Sequence, residues 1–344
     1  MTTPGKHTHR EIMSQPGVWA AVLDTVQAQE SALQALWASE SFSSVIFTGC
    51  GSTYYTSLSA ASLARELLRV PACAYPGSEL WLNPNQAYIK EGKTLLVAIS
   101  RSAKTTETFN AIKTFKAAGR GSVVSLSCYH EPEWAELCDL NLLFPAVQEE
   151  SVAQTRAFSA LHLAATAITA IFAGQSGLFD ALGRLPDVAQ TLITGAKDLA
   201  GALGRAPQYD RYYFLGSGPR HGLACELSLK MKEMSLSHSE PFHFLEFRHG
   251  PISMVTDSTL VVGLVSEAHK DYELAVLEDA RKLGARVLSL GERDTEVAFE
   301  SGLPDAARNI LILPVGQLLA FEHAIAKGLN PDRPTNLQAV VELK

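Results

Sequence analysis

The chain carries one pattern twice, and this internal repeat limits its fold more than any other feature. In each copy an apolar run leads into Gly-x-Gly and then into a helical pattern, first at Gly49-Cys50-Gly51 and again at Gly216-Ser217-Gly218. Three more apolar stretches follow each copy in the same order. They pair residues 94–100 with 259–266, 122–127 with 285–291, and 141–148 with 309–317. The order predicts two similar domains in tandem.

The apolar stretches are continuous Val, Ile and Leu runs rather than alternating ones. Continuous runs are typical of strands buried on both faces, as in parallel sheets. Helical patterns lie between them, at residues 52–68, 104–118 and 219–235. Parallel strands joined by helical crossovers form layered α/β domains. The predicted fold is therefore α/β, with two tandem αβα sandwiches that each hold a five-stranded parallel sheet.

The same pattern predicts the domain boundaries. A helical lead-in covers residues 1–39, the first domain residues 40–180, the second domain residues 200–328, and a tail residues 329–344. The apolar segment 154–173 is predicted to be a long helix that closes the first domain.

Composition excludes several classes of partner. The net charge is −7 and no run of Lys or Arg occurs, so no nucleic-acid partner is predicted. The most apolar stretch, residues 161–174, is too short to cross a bilayer, so no membrane association is predicted. The five cysteines are scattered and form no C-x-x-C pair, which favours reduced thiols and a cytoplasmic location.

Two hydroxyl-rich loops follow predicted strands of the first domain. In parallel sheets, ligands bind beyond the carboxyl ends of the strands, and helix N-termini there favour phosphate. The loops read "TGCGSTYYT" and "ISRSAKTTET" and contain Ser52, Thr53, Ser100, Ser102 and Thr105. These side chains either bind an anion or simply cap helices, as Ser and Thr often do. The third glycine of a dinucleotide fingerprint is missing, and no cofactor is predicted.

The segment "SLKMKEMSLSHSEPFHFLEFRHGP" concentrates titratable residues. His238, His243 and His249 are spaced by five and six positions, which is not the spacing of two ligands on one helix face, so no metal is predicted. Lys230 and Glu233 are three residues apart and would share a face of a helix. From the residues alone, both a solvated surface helix and a proton-transfer site remain open.

Together these motifs resemble the sugar isomerase (SIS) family. The resemblance is strongest to the isomerase half of glucosamine-6-phosphate synthase and to its stand-alone relatives, the SIS-type deaminases and deglycases. It runs from about Ile12 to the end of the chain. It is carried by "GCGSTYY", "ISRSAKTTET", "ESVAQTRAF", the segment above and "NPDRPTNLQAVVEL". K-x-K-E followed by E-x-x-H-G-P is the most specific of these features.

The resemblance implies roles for individual residues. Phosphate would be bound by Ser52, Thr53, Ser100, Ser102 and Thr105. The sugar would be lined by Gly51, Arg101, Val152, Ala153 and Gln154. Glu233 would move a proton between C1 and C2, with Lys230 as an active-site residue. His249 would open the sugar ring from the neighbouring subunit of a homodimer. Phe242, Phe244 and Phe247 are interpreted as the buried core of that interface, with the core of their own domain as the alternative.

Two departures from the synthase pattern shape the expected function. No glutaminase segment is expected before Ile12, and Ala339 stands where the synthase tail has a catalytic Lys. The predicted activity is conversion of glucosamine-6-phosphate to fructose-6-phosphate and ammonia. The alternatives are a fructosamine-phosphate deglycase, an aldose–ketose phosphosugar isomerase, or a non-catalytic sugar-phosphate sensor. A sensor would have no need of Glu233, and residues 1–16 are too short for a helix-turn-helix.

Overall fold

The computed structural model describes residues 3–89, 91–341 and 343. Over these residues the strands form two five-stranded parallel sheets, which confirms the predicted fold class. Each sheet belongs to a separate compact unit. The first-sheet unit comprises Gly17–Glu149, Arg156–Gly183 and Gln338–Lys344, and the second-sheet unit comprises Met1–Pro16, Glu150–Thr155 and Arg184–Leu337.

The first sheet has the strand order β2-β1-β3-β4-β5. Its strands are β1 (Phe42–Gly49), β2 (Ala72–Pro76), β3 (Lys93–Ser100), β4 (Val123–Ser127) and β5 (Leu140–Leu143). The helices of this part of the chain are α2 (Gln15–Ala28), α3 (Glu30–Ser39), α4 (Ser52–Leu68), α5 (Gly77–Leu82), α6 (Pro84–Ala87), α7 (Thr106–Ala117), α8 (Pro132–Leu137), α9 (Arg156–Phe172) and α10 (Ser176–Leu182). The order reverses between β1 and β3, where doubly wound sheets open a crevice for ligands.

The second sheet has the strand order β10-β9-β8-β6-β7. Its strands are β6 (Arg211–Gly216), β7 (His238–Phe242), β8 (Thr259–Leu264), β9 (Arg286–Gly291) and β10 (Val297–Ala298). The helices of this unit are α1 (Lys6–Met13), α11 (Leu185–Arg205), α12 (Pro219–Ser235), α13 (Phe244–Phe247), α14 (Lys270–Lys282), α15 (Asp305–Arg308) and α16 (Ile312–Ala326). The equivalent reversal lies between β6 and β8.

One predicted strand is wrong. Residues 309–317 form a 3-10 turn, Asn309–Leu311, followed by the start of α16. A short apolar run does not distinguish a buried strand from a buried helix. Here the run continues past residue 317, and α16 is buried along almost its whole length, so helix formation satisfies its backbone inside the core. The two-residue strand β10 takes the edge of the sheet instead.

The interpretation of Phe244 and Phe247 as part of an interface core is wrong, and the alternative, that they fill their own domain, holds. Phe244 and Phe247 have no exposed surface and pack with Tyr213 and Leu215 in the core of the second-sheet unit. Phe242 is partly buried against the same cluster. β7 pairs beside β6 in the sheet, and α13 follows it directly, so the aromatic side chains of α13 reach the core of the same unit.

The segment Asp305–Ala326 is long and apolar enough to cross a membrane by length and composition alone. Of its most apolar window, 83% is buried inside the protein, as in the core helix of a globular fold.

Candidate active site

The loop after β1 brings helix α4 close to the end of its strand. Gly51 precedes α4 with φ 55°, a left-handed conformation that favours glycine. A Cβ atom at Gly49 would lie 2.6 Å from the backbone carbon of Thr53, so the close approach of helix and strand requires glycine there. Ser52 and Thr53 therefore stand in the first turn of a helix that begins at the crevice, where anions are favoured.

The Thr53 hydroxyl closes this turn. The Cys50 N–H donates to Thr53 Oγ1 at 2.9 Å, and Thr53 Oγ1 donates to the Cys50 carbonyl oxygen at 3.0 Å. Thr53 is almost fully buried. The hydroxyl proton of Thr53 is already donated to the Cys50 carbonyl oxygen. Thr53 could donate to a phosphate only if this hydroxyl rotated.

The loop after β3 is shaped by two serines. Ser100 Oγ accepts the Ala103 N–H and Ser102 Oγ accepts the Lys104 N–H, each at 3.1 Å. Ala103 has φ 57°, an uncommon left-handed conformation for a residue with a Cβ atom. A hydroxyl that accepts such a bond still has its own proton to donate. Both serines can therefore donate to an anion beside the start of α7, where Thr105 is the N-cap residue.

The Arg101 side chain is held by an ion pair and a hydrogen bond within the first-sheet unit. Its buried guanidinium lies 3.4 Å from the Glu149 carboxylate and donates to the Ala339 carbonyl oxygen at 3.0 Å. The Thr106 N–H donates to the Val341 carbonyl oxygen at 3.4 Å. The tail segment around Ala339 therefore lies against the loop after β3, and Arg101 holds it there.

Near the corresponding end of the second sheet, carboxylates pair with groups that could otherwise bind an anion. The Glu273 carboxylate accepts the Ser266 N–H at 2.6 Å, where β8 ends. Arg220 lies 3.0 Å from the Asp305 carboxylate, and Pro219 at the start of α12 lacks an N–H donor. The charges that could hold an anion are thus paired with acidic side chains, so the second repeat is a poor anion site.

We therefore expect sulfate or phosphate to bind the first-sheet unit at the loops after β1 and β3. Replacing both Ser100 and Ser102 with alanine should weaken phosphate binding roughly tenfold or more, because a hydrogen bond to a charged group contributes about 1.5–3 kcal/mol. Titration calorimetry with inorganic phosphate measures this, with Ser217→Ala in the loop after β6 as the control. An anion found only at the loop of Gly216 and Gly218 would contradict the assignment.

The most unusual electrostatic feature of the second-sheet unit is a buried lysine on α12. Lys230 has no exposed side-chain surface, and its Nζ lies 3.3 Å from Oε1 of Glu226, which is also fully buried. Lys230 also donates to the Glu233 carboxylate, whose side chain keeps 19% of its surface exposed. The prediction that Lys230 and Glu233 share a helix face is confirmed. Glu233 is the member of this group that a ligand can reach.

The two neighbouring carboxylates determine the pKa of Lys230. Burial by itself disfavours the ammonium ion, but the carboxylates of Glu226 and Glu233 outweigh it and raise the lysine pKa above its ordinary value. Lys230 is therefore a fixed positive charge that orients the Glu233 carboxylate. Sequence reasoning missed Glu226, although its i, i+4 spacing to Lys230 is a recognisable helix pairing.

His249 lies just after α13 with an exposed side chain, so it is presented outward from the second-sheet unit. Two other histidines pair with each other instead. The rings of His221 and His243 stack with centroids 3.8 Å apart. Burial, followed by the nearby charge of His243, lowers the pKa of His221 to about 4. His221 therefore stays neutral at physiological pH, as a structural residue would.

Val152, Ala153 and Gln154 stand in a short loop of the second-sheet unit. Ala153 is buried, whereas Val152 and Gln154 are half-buried. The Glu11 carboxylate accepts the Glu150 N–H at 2.7 Å and also bonds Ser151. Sequence reasoning missed Glu11, because nothing in the sequence links residue 11 to a loop about 140 positions away.

The sequence was compared with protein families and with curated proteins. A family model described as the SIS domain matches residues 41–171 and 208–301. Glutamine–fructose-6-phosphate aminotransferase (isomerizing) of Gluconobacter oxydans is 30% identical over 87% of this chain and 52% of its own length. The chain spans between 52% and 59% of the length of such curated relatives.

Two crystal structures are similar along nearly their whole length. Glucosamine-6-phosphate deaminase from Thermotoga maritima superposes with a TM-score of 0.84 at 26% identity, covering 98% of this chain and 100% of that one. Tagatose-6-phosphate ketose/aldose isomerase from Escherichia coli superposes with a TM-score of 0.86 at 24% identity, covering 99% and 98%. The second similarity concerns the fold alone.

Proposed function

The chain belongs to the SIS domain family, and from this premise we propose that it is an enzyme that releases ammonia from an amino-sugar phosphate. The substrate of the proposal is glucosamine-6-phosphate and the products are fructose-6-phosphate and ammonia. The full-length similarity to the Thermotoga maritima deaminase supports this choice. The observation that carries it is the accessible Glu233 carboxylate, held by a buried lysine.

Isomerising the open-chain sugar needs a proton taken from C2 and a proton returned to C1. One carboxylate can serve both carbons, since they are adjacent. In the proposal Glu233 takes the C2 proton, and the electron pair left behind forms a C1–C2 double bond. The π pair of the C1 carbonyl moves to O1, which takes a proton from solvent to give an enaminol. Proton return at C1 then leaves an imine at C2, and water hydrolyses this imine to the ketone and ammonia. Positioned acid–base catalysis of this kind contributes about 10²–10⁴-fold.

The other groups supply anchoring and orientation. The loops after β1 and β3 would hold the substrate phosphate through Ser52, Ser100 and Ser102, with Thr53 and Thr105 beside them. Arg101 is already paired with Glu149, so in the proposal it supports the loop and the tail near the sugar. Lys230 donates a hydrogen bond to the Glu233 carboxylate and so fixes its position.

Ring opening needs a separate acid–base group. Histidine suits this task because its ordinary pKa lies near neutrality. We propose that His249 performs it for the neighbouring subunit of a homodimer, so that each active site is composite. The exposed position of His249 after α13 supports this assignment.

Mixing two inactive variants tests the composite site. Glu233→Gln and His249→Asn chains alone should each be nearly inactive. If the sites are shared, random exchange makes half of the dimers mixed, and each mixed dimer has one intact site. Activity should then recover to about a quarter of wild type per total site in an equal mixture. If subunit exchange is verified and activity does not recover, each chain supplies its own histidine.

The function itself is tested by a substrate panel. Ammonia release is measured with glucosamine-6-phosphate, other amino-sugar phosphates and fructosamine phosphates, without added glutamine. We expect glucosamine-6-phosphate to be turned over fastest, with ammonia as product. Interconversion of aldose and ketose phosphates without ammonia would make the protein an isomerase instead, and preferred cleavage of a fructosamine phosphate would make it a deglycase. Binding without any turnover would indicate a sensor.

A further inference from the structure

Residues 150–155 of the second-sheet unit, here called loop 150–155, are held at their first end by a buried carboxylate. Glu11, on α1, has no exposed surface. Its Oε1 accepts the Glu150 N–H at 2.7 Å and the Ser151 N–H at 3.4 Å, and its Oε2 accepts the Ser151 hydroxyl. Hydrogen bonds to a carboxylate are about twice as strong as neutral ones, so this end of the loop is firmly fixed.

A pair of buried amides holds the other end. Gln317 Nε2 donates to the Thr155 carbonyl oxygen at 3.1 Å, and Gln15 Nε2 donates to Gln317 Oε1 at 2.9 Å. Both glutamines are fully buried. Gln317 is a polar residue in the otherwise mostly apolar helix α16, and its contact with Thr155 explains its presence there.

Helix α1 is itself locked in place. The Asp332 carboxylate accepts the Thr8 N–H and the Thr8 hydroxyl, each at 2.8 Å. The carbonyl oxygen of Asp332 accepts the Val152 N–H at 3.1 Å, so the same residue contacts both α1 and loop 150–155. These bonds explain why the second-sheet unit includes three stretches that are distant in sequence.

The braced loop presents an acceptor that lacks a partner. Gln154 Oε1 is buried and accepts no hydrogen bond from any residue that the structure describes. An unsatisfied buried acceptor is costly, and native proteins contain few of them. A ligand hydroxyl or ammonium group would satisfy it.

We propose that Glu11 is a positioning residue for the sugar: it fixes loop 150–155 so that Gln154 can accept a hydrogen bond from the substrate. This inference rests on the proposed function, because it takes the ligand to be a sugar phosphate. Glu11 acts through the loop and touches no reacting atom. The Arg10 guanidinium, 3.9 Å away, offsets part of the charge that α1 buries.

The test compares Glu11→Gln with Glu66→Gln, the same substitution at an exposed carboxylate on α4. Both changes are made in a Glu233→Gln background so that substrate is not consumed. Hydrogen exchange follows the amides of Glu150 and Ser151, and calorimetry measures binding of glucosamine-6-phosphate and of inorganic phosphate. For Glu11→Gln we expect exchange to accelerate about tenfold or more, and sugar-phosphate affinity to fall about tenfold. Inorganic phosphate should bind within about twofold of the reference, because its proposed loops belong to the first-sheet unit.

Equal weakening of both ligands would indicate general damage and would overturn the positioning role, as would unchanged exchange. Gln317→Met provides a second variant if Glu11→Gln fails to fold, since it releases the same loop from its other end. Faster exchange with unchanged sugar-phosphate affinity would also overturn the proposal. If the Glu233→Gln protein without a second substitution binds no sugar phosphate, the proposed function is refuted. The substrate role of Glu11 is then refuted as well, whatever the exchange rates of Glu150 and Ser151 are.

Discussion

Replacing Glu233 with glutamine is expected to abolish turnover of glucosamine-6-phosphate while substrate binding stays nearly intact. Glutamine has the shape of glutamate but cannot accept the C2 proton. The loss should be about 10²–10⁴-fold in kcat, the range that a positioned acid–base group contributes. KM should change little, because the phosphate is bound by other residues. Steady-state kinetics with ammonia detection measures both constants.

Glu240→Gln is the matched control, since Glu240 is an exposed carboxylate in the same segment of chain. It should keep turnover within about threefold of wild type, as expected for a surface substitution that affects no reacting group. If Glu233→Gln retains turnover within tenfold of wild type, Glu233 has no part in the proton transfer.

Replacing Lys230 with methionine should cause the largest loss of stability. The change leaves Glu226 as a buried carboxylate without its lysine partner, beside the Glu233 carboxylate. Removing one partner of a buried ion pair typically costs about 3–5 kcal/mol. Chemical denaturation measures the free energy of unfolding. Turnover should also fall, because Glu233 loses the charge that orients it.

Lys232→Met serves as the control, because Lys232 is exposed and bonds the Ser228 hydroxyl. It should cost about 1 kcal/mol or less. A Lys230→Met protein as stable as this control would contradict the view that Lys230 balances two carboxylates.

The raised pKa of Lys230 determines how its contribution to the free energy of unfolding depends on pH. Its stabilising effect should be fully present at neutral pH, below the ordinary lysine pKa. It should be lost only as the pH rises through the higher pKa of the folded state.

The sequence predicts the fold well where strands are buried on both faces. Helices α4 and α12 begin and end where the helical patterns predict, and β3, β4, β8 and β9 lie within one or two residues of the predicted runs. It fails for residues 309–317, since an apolar run that is buried on every side fits either a strand or a helix. Strand β10 has only two residues, and β7 contains His238, Glu240 and Pro241, so neither strand shows a continuous apolar run.

The candidate site was predictable only where contacts are local. Lys230 and Glu233 are three residues apart, and their ion pair follows from helix geometry. Thr53 donates a hydrogen bond to the Cys50 carbonyl oxygen, and Arg101 forms an ion pair with Glu149. Both contacts depend on loop conformations that the residue types do not specify. Glu11 is the extreme case, because its partners are brought to it only by the packing of α1, α16 and loop 150–155.

One measurement tests the central claim most directly. Proton NMR follows the wild-type protein with glucosamine-6-phosphate as the only substrate, and ammonia is assayed in the same samples. We expect fructose-6-phosphate and ammonia to appear in equal amounts as the amino sugar disappears, with no such conversion by Glu233→Gln. A ketose phosphate formed without ammonia, or an amino sugar that stays unchanged while it is bound, would contradict the proposed deamination.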